Sequence, residues 1–208
     1  MQVSNLSKIK NLQHGFYDIE ETKNVVNPFL MTQIHSAQVL FVDHFLDLPK
    51  TDALITQKSH LNLTVKTADC APVLMADENA HLIAAIHAGW KSAFQGILEA
   101  SVLQLVQKGA LPKNIVVGIG PCLHQKSFRM GKEIYDLFPP TEKHFFKPTA
   151  DNGFLFDFVS YIKARLNRIK IENIEVIDID TYTTPSFYSY RRDPKNPARQ
   201  FSSIQWID

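Results

Sequence analysis

The stretch that most constrains this chain is residues 66–90, KTADCAPVLMADENAHLIAAIHAGW. Two short apolar runs, 72–76 and 81–86, flank the polar tetrapeptide Asp77-Glu78-Asn79-Ala80. Runs of this kind bounded by turn-forming residues predict the two strands of a hairpin. Pairing Ala76 with His81 sets a register in which Cys70 falls directly opposite His87. A thiol and an imidazole then face each other where the strands open into loops, and both are zinc-ligand types.

Around this hairpin the pattern alternates short strands with helices. An edge strand is expected over 11–17, and a polar loop or single helical turn over 18–27. The run 29–42 is strand-like at both ends, with His35-Ser36 at the break. On spacing alone His35 reads as a surface-loop histidine. A connection over 43–50 ends at Pro49. Strands are expected at 52–56 and 61–65, where leucine, threonine and valine favour them. Pro72 gives up a donor at a strand start, where that is tolerated.

Beyond His87, Ala88-Gly89-Trp90 allows a tight turn and close approach to a ligand. Ser92 is placed as the N-cap of one helix in which Phe94, Ile97, Leu98, Val102, Leu105 and Val106 recur at helical spacing, ended by Gly109 and Pro112. Its first turn would offer free amides to an anion beside His87. A strand follows at 115–119. Cys122 alone reads as a small buried residue. A short helix at 131–138 stops at Pro139-Pro140, and a longer one at 155–166 has Asp151 or Asn152 as upstream caps. Strands at 174–179 and 201–207 close the chain. No repeat or linker divides it, so residues 1–208 are expected to form one α+β domain of a size that buries a substantial core.

Charge excludes some partners. The 22 basic and 21 acidic side chains nearly cancel, which demands neither a nucleic acid nor an anionic membrane. Two cysteines allow a lone disulfide by count but do not make a disulfide framework. The N-terminus lacks the apolar segment of a signal peptide, and no run is long enough to span a membrane. A cytoplasmic protein is the expectation, as monomer or homodimer.

Several motifs stand in order: Gln33-Ile34-His35-Ser36, Thr67-Ala68-Asp69-Cys70, His87-Ala88-Gly89-Trp90-Lys91, Gly118-Ile119-Gly120-Pro121 and Tyr188-Ser189-Tyr190-Arg191-Arg192. As an ordered set they make the chain resemble the YfiH-like laccase-domain family. That family was labelled multicopper polyphenol oxidoreductase and is now regarded mainly as purine nucleoside phosphorylases with accessory deaminase activity. The resemblance implies a four-layer α/β/β/α sandwich with mixed sheets. It also implies that His35, Cys70 and His87 surround a zinc ion, an open three-ligand set of the catalytic type. Two features depart from the family. Only about thirty residues precede His35, without the usual glycine-rich stretch, which implies a reduced substrate wall. Asp180 stands before Thr181-Tyr182, where many members carry a cysteine. With eight histidines and no HxH pair, a cluster of several coppers lacks ligands.

The resemblance thus implies a zinc-dependent purine nucleoside phosphorylase acting on adenosine and inosine, with methylthioadenosine a further candidate. Inorganic phosphate is the co-substrate, held by Arg191 or Arg192, Lys91 and Ser36. In a strand only one of the two arginines would face the cleft. Phe187, Tyr188 and Tyr190 are candidates to pack on a purine or in the core. Adenosine deaminase side activity would use Asp69 to move the proton, unless Asp69 only caps the loop before Cys70. Three other classes share these residues. One is a cysteine-dependent hydrolase with Cys70 as nucleophile and His87 as base. Another is a copper-dependent polyphenol oxidoreductase. The third is a non-enzymatic nucleoside- or partner-binding protein.

Overall fold

The computed structural model describes residues 1–43 and 48–208. In chain order the elements are α1 (Ser4–Ser7), β1 (Leu12–Phe16), β2 (Pro28–Phe29), β3 (Val39–Phe41), β4 (Ala53–Thr56), β5 (Asn62–Thr67), β6 (Ala71–Asp77), β7 (Leu82–Ala88), α2 (Trp90–Phe94) and α3 (Ile97–Gln107). They continue as β8 (Val116–Ile119), β9 (Arg129–Met130), α4 (Lys132–Tyr135), β10 (Phe146–Pro148), β11 (Phe154–Phe156), α5 (Phe158–Arg168), β12 (Asn173–Val176) and β13 (Gln200–Trp206). Of the connection expected over 43–50, residues 44–47 lie outside the described residues.

Among these, a six-stranded sheet runs β12-β8-β6-β7-β4-β3, a four-stranded sheet runs β1-β13-β5-β2, and β10-β11-β9 form a small third sheet. The six-stranded sheet is antiparallel in its middle and parallel at both ends, where β12 joins β8 and β3 joins β4. The expected α+β class with mixed sheets holds. The expected edge strand over 11–17 is β1, at the edge of the four-stranded sheet.

Strand alternation explains how the larger sheet is covered. In β4, Ala53 and Ile55 join one apolar cluster while Leu54 joins another; in β6, Val73 and Met75 divide from Leu74 and Ala76 in the same way. Side chains of period two reach opposite faces. One face packs on Ile97, Leu98, Val102 and Leu105 of α3 and on Phe158, Ile162 and Leu166 of α5. The other meets Leu63, Val65, Ile204 and Trp206 of the four-stranded sheet. A helical layer, the six-stranded sheet and the four-stranded sheet therefore stack in that order.

The hairpin is present, but its register differs from expectation. Pro72, not Cys70, pairs with His87, and Asp77 pairs with Leu82. Asp77 belongs to the strand because its buried carboxylate caps the turn: Oδ1 accepts from the amides of Asn79 and Ala80, and Oδ2 from Leu111. The slip is two residues, so it conserves the face. Cys70 lies just ahead of β6, diagonal to His87 and on the same side.

The helix expected from Ser92 is two helices. Gly96, at φ +95°, breaks it into α2 and α3, a conformation glycine adopts without strain. Gly89 caps α2, and Ser92 lies inside it, its hydroxyl accepting from the Gly89 amide at 2.9 Å. The first turn expected beside His87 is that of the five-residue α2, which starts at Trp90. The last long helix also starts later than expected. Asp157, rather than Asp151 or Asn152, caps α5 by accepting from the Ser160 amide, and Leu155 lies in β11.

Candidate metal centre

His35, Cys70 and His87 come together with their ligand atoms all within 4.8 Å of one another. Each arrives from a different local structure. His87 lies in β7 and is buried; Cys70 is half-buried ahead of β6; His35 is exposed in the loop between β2 and β3. Cys70 Sγ lies 3.9 Å from His35 Nε2. Both His35, at φ +56°, and Asp69, at φ +86°, take the left-handed backbone conformation, which non-glycine residues adopt at a cost. The backbone is thus bent to bring the ligands inward.

Gln33 holds the His35 loop to the sheet. Its amide donates to the Lys66 carbonyl at 2.7 Å and accepts from the Lys66 amide at 2.8 Å, so one side chain acts as a strand partner for the end of β5. Gly89 makes room for the ligands: a Cβ there would stand 3.1 Å from both Cys70 Sγ and His35 Cδ2.

Asp52, one residue ahead of β4, is a functional candidate that the sequence reading missed. It is fully buried. Its carboxylate accepts from His87 Nδ1 at 2.9 Å, from the amides of Ile34, His35 and Ser36 at 3.2, 3.0 and 2.6 Å, and from the Ser36 hydroxyl at 2.8 Å. Burial opposes its charge, but the hydrogen bonds from His87 and Ser36 outweigh that and hold its pKa at about 2. The available signal was an acid opening the apolar strand Ala53–Thr56, a place where a buried charge needs partners.

Burial also opposes the charged forms of Cys70 and His87, yet each favours the charge of the other. The thiol is pulled down, chiefly by His87 and then His35, and the imidazole is pushed up by Cys70 and Asp52. Cys122 is buried, and burial, then the charges of Asp180, Cys70 and Asp69, push its thiol well up. It is the small buried residue expected, with its thiol held in the neutral form.

The other predicted site residues divide. Both Asp69 oxygens are engaged: Oδ1 accepts from the Thr181 hydroxyl at 2.8 Å and Oδ2 from the Arg191 amide at 2.7 Å. The Ser36 hydroxyl is committed to Asp52. The segment carrying Arg191 and Arg192 is made of turns, not a strand, so strand alternation does not apply, although the two side chains do part. Arg192 donates to the carbonyls of Thr181, Tyr182 and Phe187. Arg191 is exposed, lies over the Phe128 ring at 5.7 Å, and makes no ion pair among the described residues. Lys91 is exposed on α2. Phe187 is buried, Tyr188 half-buried and Tyr190 exposed. A cavity of about 230 Å³ is lined by Tyr188, Ser189, Arg192 and Asn196 among others, and by none of the three ligands. Asp180 accepts from the Ser127 hydroxyl and the Tyr182 amide.

The donor set fits a metal. Ligand atoms around a tetrahedral zinc lie roughly 3.3–3.6 Å apart, so the spread of up to 4.8 Å closes with small side-chain adjustments. The family described as multi-copper polyphenol oxidoreductase laccase matches residues 13–207. The chain belongs to that family. A Rickettsia prowazekii relative named as a purine nucleoside phosphorylase is 34% identical over 78% of this chain and 69% of its own length. A Rickettsia conorii protein of the same name is 32% identical over 84% of this chain and 76% of its own length. Among solved structures, the Neisseria meningitidis protein NMB0706 superposes with a TM-score of 0.80 at 26% identity, covering 91% of this chain and 79% of that one. The Bacillus licheniformis hypothetical protein YfiH gives 0.78 at 26% identity, covering 86% and 73%. Membership of this laccase-named family thus joins two descriptions, an oxidoreductase and a phosphorylase. No helix among the described residues is long and apolar enough to cross a membrane.

Proposed function

We propose that this chain is a metal-dependent enzyme that cleaves purine nucleosides with phosphate, releasing the free base and ribose 1-phosphate. The reading rests on the open cluster of His35, Cys70 and His87 in a chain whose relatives bear the phosphorylase name. Zinc would be held by these three residues and would supply a Lewis acid with an open position. The resemblance's layer order, with a second helical layer outside the four-stranded sheet, belongs to the same proposal.

The chain's own groups have distinct tasks in this reading. Arg191 supplies the phosphate fork, because its guanidinium is not engaged by backbone carbonyls as that of Arg192 is. Its planar donors suit phosphate, and Lys91 adds positive charge. Asp69 ties the backbone of Arg191 beside Cys70, which fixes the anion site relative to the metal ligands. Deamination of adenosine is the side activity, and Asp69 would move its proton on a lone pair not used by Thr181 or Arg191.

Copper in the same three ligands is the second reading, favoured by the family description and by a donor set of two histidines and one cysteine, which also suits a trigonal copper centre. A cysteine-dependent hydrolase is a third. Cys70, His87 and Asp52 supply a thiol, a base and a carboxylate that orients the base, the logic of a nucleophilic triad.

One set of measurements separates them. Protein purified without chelator is assayed for zinc and copper, then for hypoxanthine release from inosine with and without phosphate or arsenate. Phosphate-dependent release with zinc bound supports the main reading. Release independent of both anions sinks it. Copper uptake with a thiolate charge-transfer band and phenol oxidation establishes the second. Metal-independent hydrolysis that is lost on alkylating Cys70 establishes the third.

A further inference from the structure

Asp52 stands between the two segments that carry the histidines, through both its backbone and its side chain. Its carbonyl accepts from the His87 amide at 2.8 Å, and its own amide donates to Gln38 at 3.1 Å. Its carboxylate receives three consecutive amides, those of Ile34, His35 and Ser36, together with the His87 ring. Consecutive amides converging on one anion form a nest, which requires a residue in the left-handed region. His35 is that residue, at φ +56°. No lysine or arginine pairs with Asp52 among the described residues, so amide dipoles and His87 carry the burden of a wholly buried carboxylate.

We propose that Asp52 is the positioning residue that makes the two histidines a single site, holding the backbone of His35 and the ring of His87 with one carboxylate. The inference rests on the metal reading of the cluster. The 2.9 Å contact seats His87 Nδ1–H on Asp52, which leaves Nε2 as the nitrogen turned to the cluster and as the ligand once an ion displaces its proton. A carboxylate behind an imidazole fixes the ring and strengthens it as a donor. The same carboxylate stabilises the left-handed turn at His35, so loss of Asp52 releases one ligand's ring and the other's backbone together.

Asp52→Asn tests this. An asparagine oxygen can still accept from the Ser36 amide, but its NH2 then faces His87 Nδ1. The ring must accept there and carry its proton on Nε2, the wrong tautomer for a ligand. Zinc affinity, read by competition with a chromophoric chelator, is expected to fall about 10- to 100-fold, while circular dichroism stays folded. Ser36→Ala, which removes one hydroxyl donor and keeps the carboxylate, is expected to fall by less. A second readout uses the full wild-type chain loaded with zinc: long-range proton–nitrogen NMR should place the His87 proton on Nδ1. That measurement stands even where Asp52→Asn fails to fold. A wild-type chain that takes up neither zinc nor copper overturns the metal reading itself. A wild-type chain that binds zinc, with Asp52→Asn binding equally well or with His87 protonated on Nε2, overturns the assignment of Asp52 alone.

Discussion

The imidazoles of His35 and His87 meet edge to face, with ring centroids 4.8 Å apart and planes at 77°. One ring comes from an exposed loop and the other from a buried strand. Their contact therefore places one face of the site in solvent and the other in the sheet, which suits an ion reached from outside and anchored from within.

Removing a ligand should remove the metal. Wild-type chain is expected to carry about one ion per chain, and His87→Ala or Cys70→Ala a small fraction of that, because an open site has no spare ligand. Elemental analysis after gel filtration is the check, and unchanged content in both variants would sink the assignment. Bound ion at a hundredfold excess over its dissociation constant stabilises a fold by about 2.7 kcal/mol, so chelation should also lower the thermal midpoint.

Gly89→Ala probes crowding rather than chemistry. The new methyl would stand 3.1 Å from Cys70 Sγ and His35 Cδ2, closer than most real contacts. Backbone conformation is no obstacle, since Gly89 has φ −77°. The expected result is a chain of near-normal stability with metal affinity lowered about tenfold or more, the scale on which neighbours of metal ligands act. Equal affinity would mean that the ligands have room to move aside.

The two arginines should separate by assay. Arg191→Ala is expected to raise the KM for phosphate more than that for nucleoside and to leave stability within about 0.5 kcal/mol, as for an exposed side chain. Arg192 is exposed as well but donates to three backbone carbonyls, so Arg192→Ala should cost more, about 0.5–1.5 kcal/mol in urea unfolding. A phosphate effect confined to Arg192→Ala would reverse the assignment.

Acid should weaken the fold through His14. Burial, and then the N-terminal ammonium, lower its pKa from 6.5 to about 4, and the Val3 amide donates to its Nε2. The unfolded chain therefore takes up a proton below pH 6.5 that the folded chain refuses until about pH 4. The stability contribution is complete above pH 6.5, declines by up to about 1.4 kcal/mol per pH unit between 6.5 and 4, and is gone below. Asp52 acts in a separate window: its depressed pKa keeps a contribution above pH 3.8 that is lost as pH falls towards 2. Urea midpoints across pH 4–7 should slope less in His14→Gln than in wild type, and parallel slopes would refute the account.

The core between the sheets gives a control. Leu63 and Leu74 are both fully buried there, and truncating either to alanine should cost about 2–5 kcal/mol while metal content per folded chain is unchanged. Loss of metal at full folding would place the site's support deeper than Asp52 and Gln33.

Much of the fold was legible because local pattern and tertiary setting agree. The two hairpin runs, the closing strand and the amphipathic residues of α3 follow from period and turn residues alone. The hairpin register did not, because Asp77 looks like a turn residue and serves as the last residue of a strand, its carboxylate spent on the amides of Asn79, Ala80 and Leu111. Gly96 was likewise one small residue within a helical pattern, and only its left-handed backbone reveals the break. At the site, His35, Cys70 and His87 were named through ordered motifs. Asp52 and the clamp of Gln33 were not, since both act through backbone groups of residues distant in sequence. The same holds for Arg192: its sequence neighbourhood suggested phosphate, while its carbonyl partners become visible only when the turns fold around it.

Gln33 has one more consequence. Because its side chain continues the ladder of β5 by bonding both ways with Lys66, the loop bearing His35 shares in the cooperative opening of that strand. The amides of residues 34–36 are held by Asp52 and should exchange with deuterium on the slow timescale of the sheet although the loop is exposed, and Gln33→Ala should speed them only part-way, with Asp52→Asn needed to bring them to the fast timescale of ordinary surface turns.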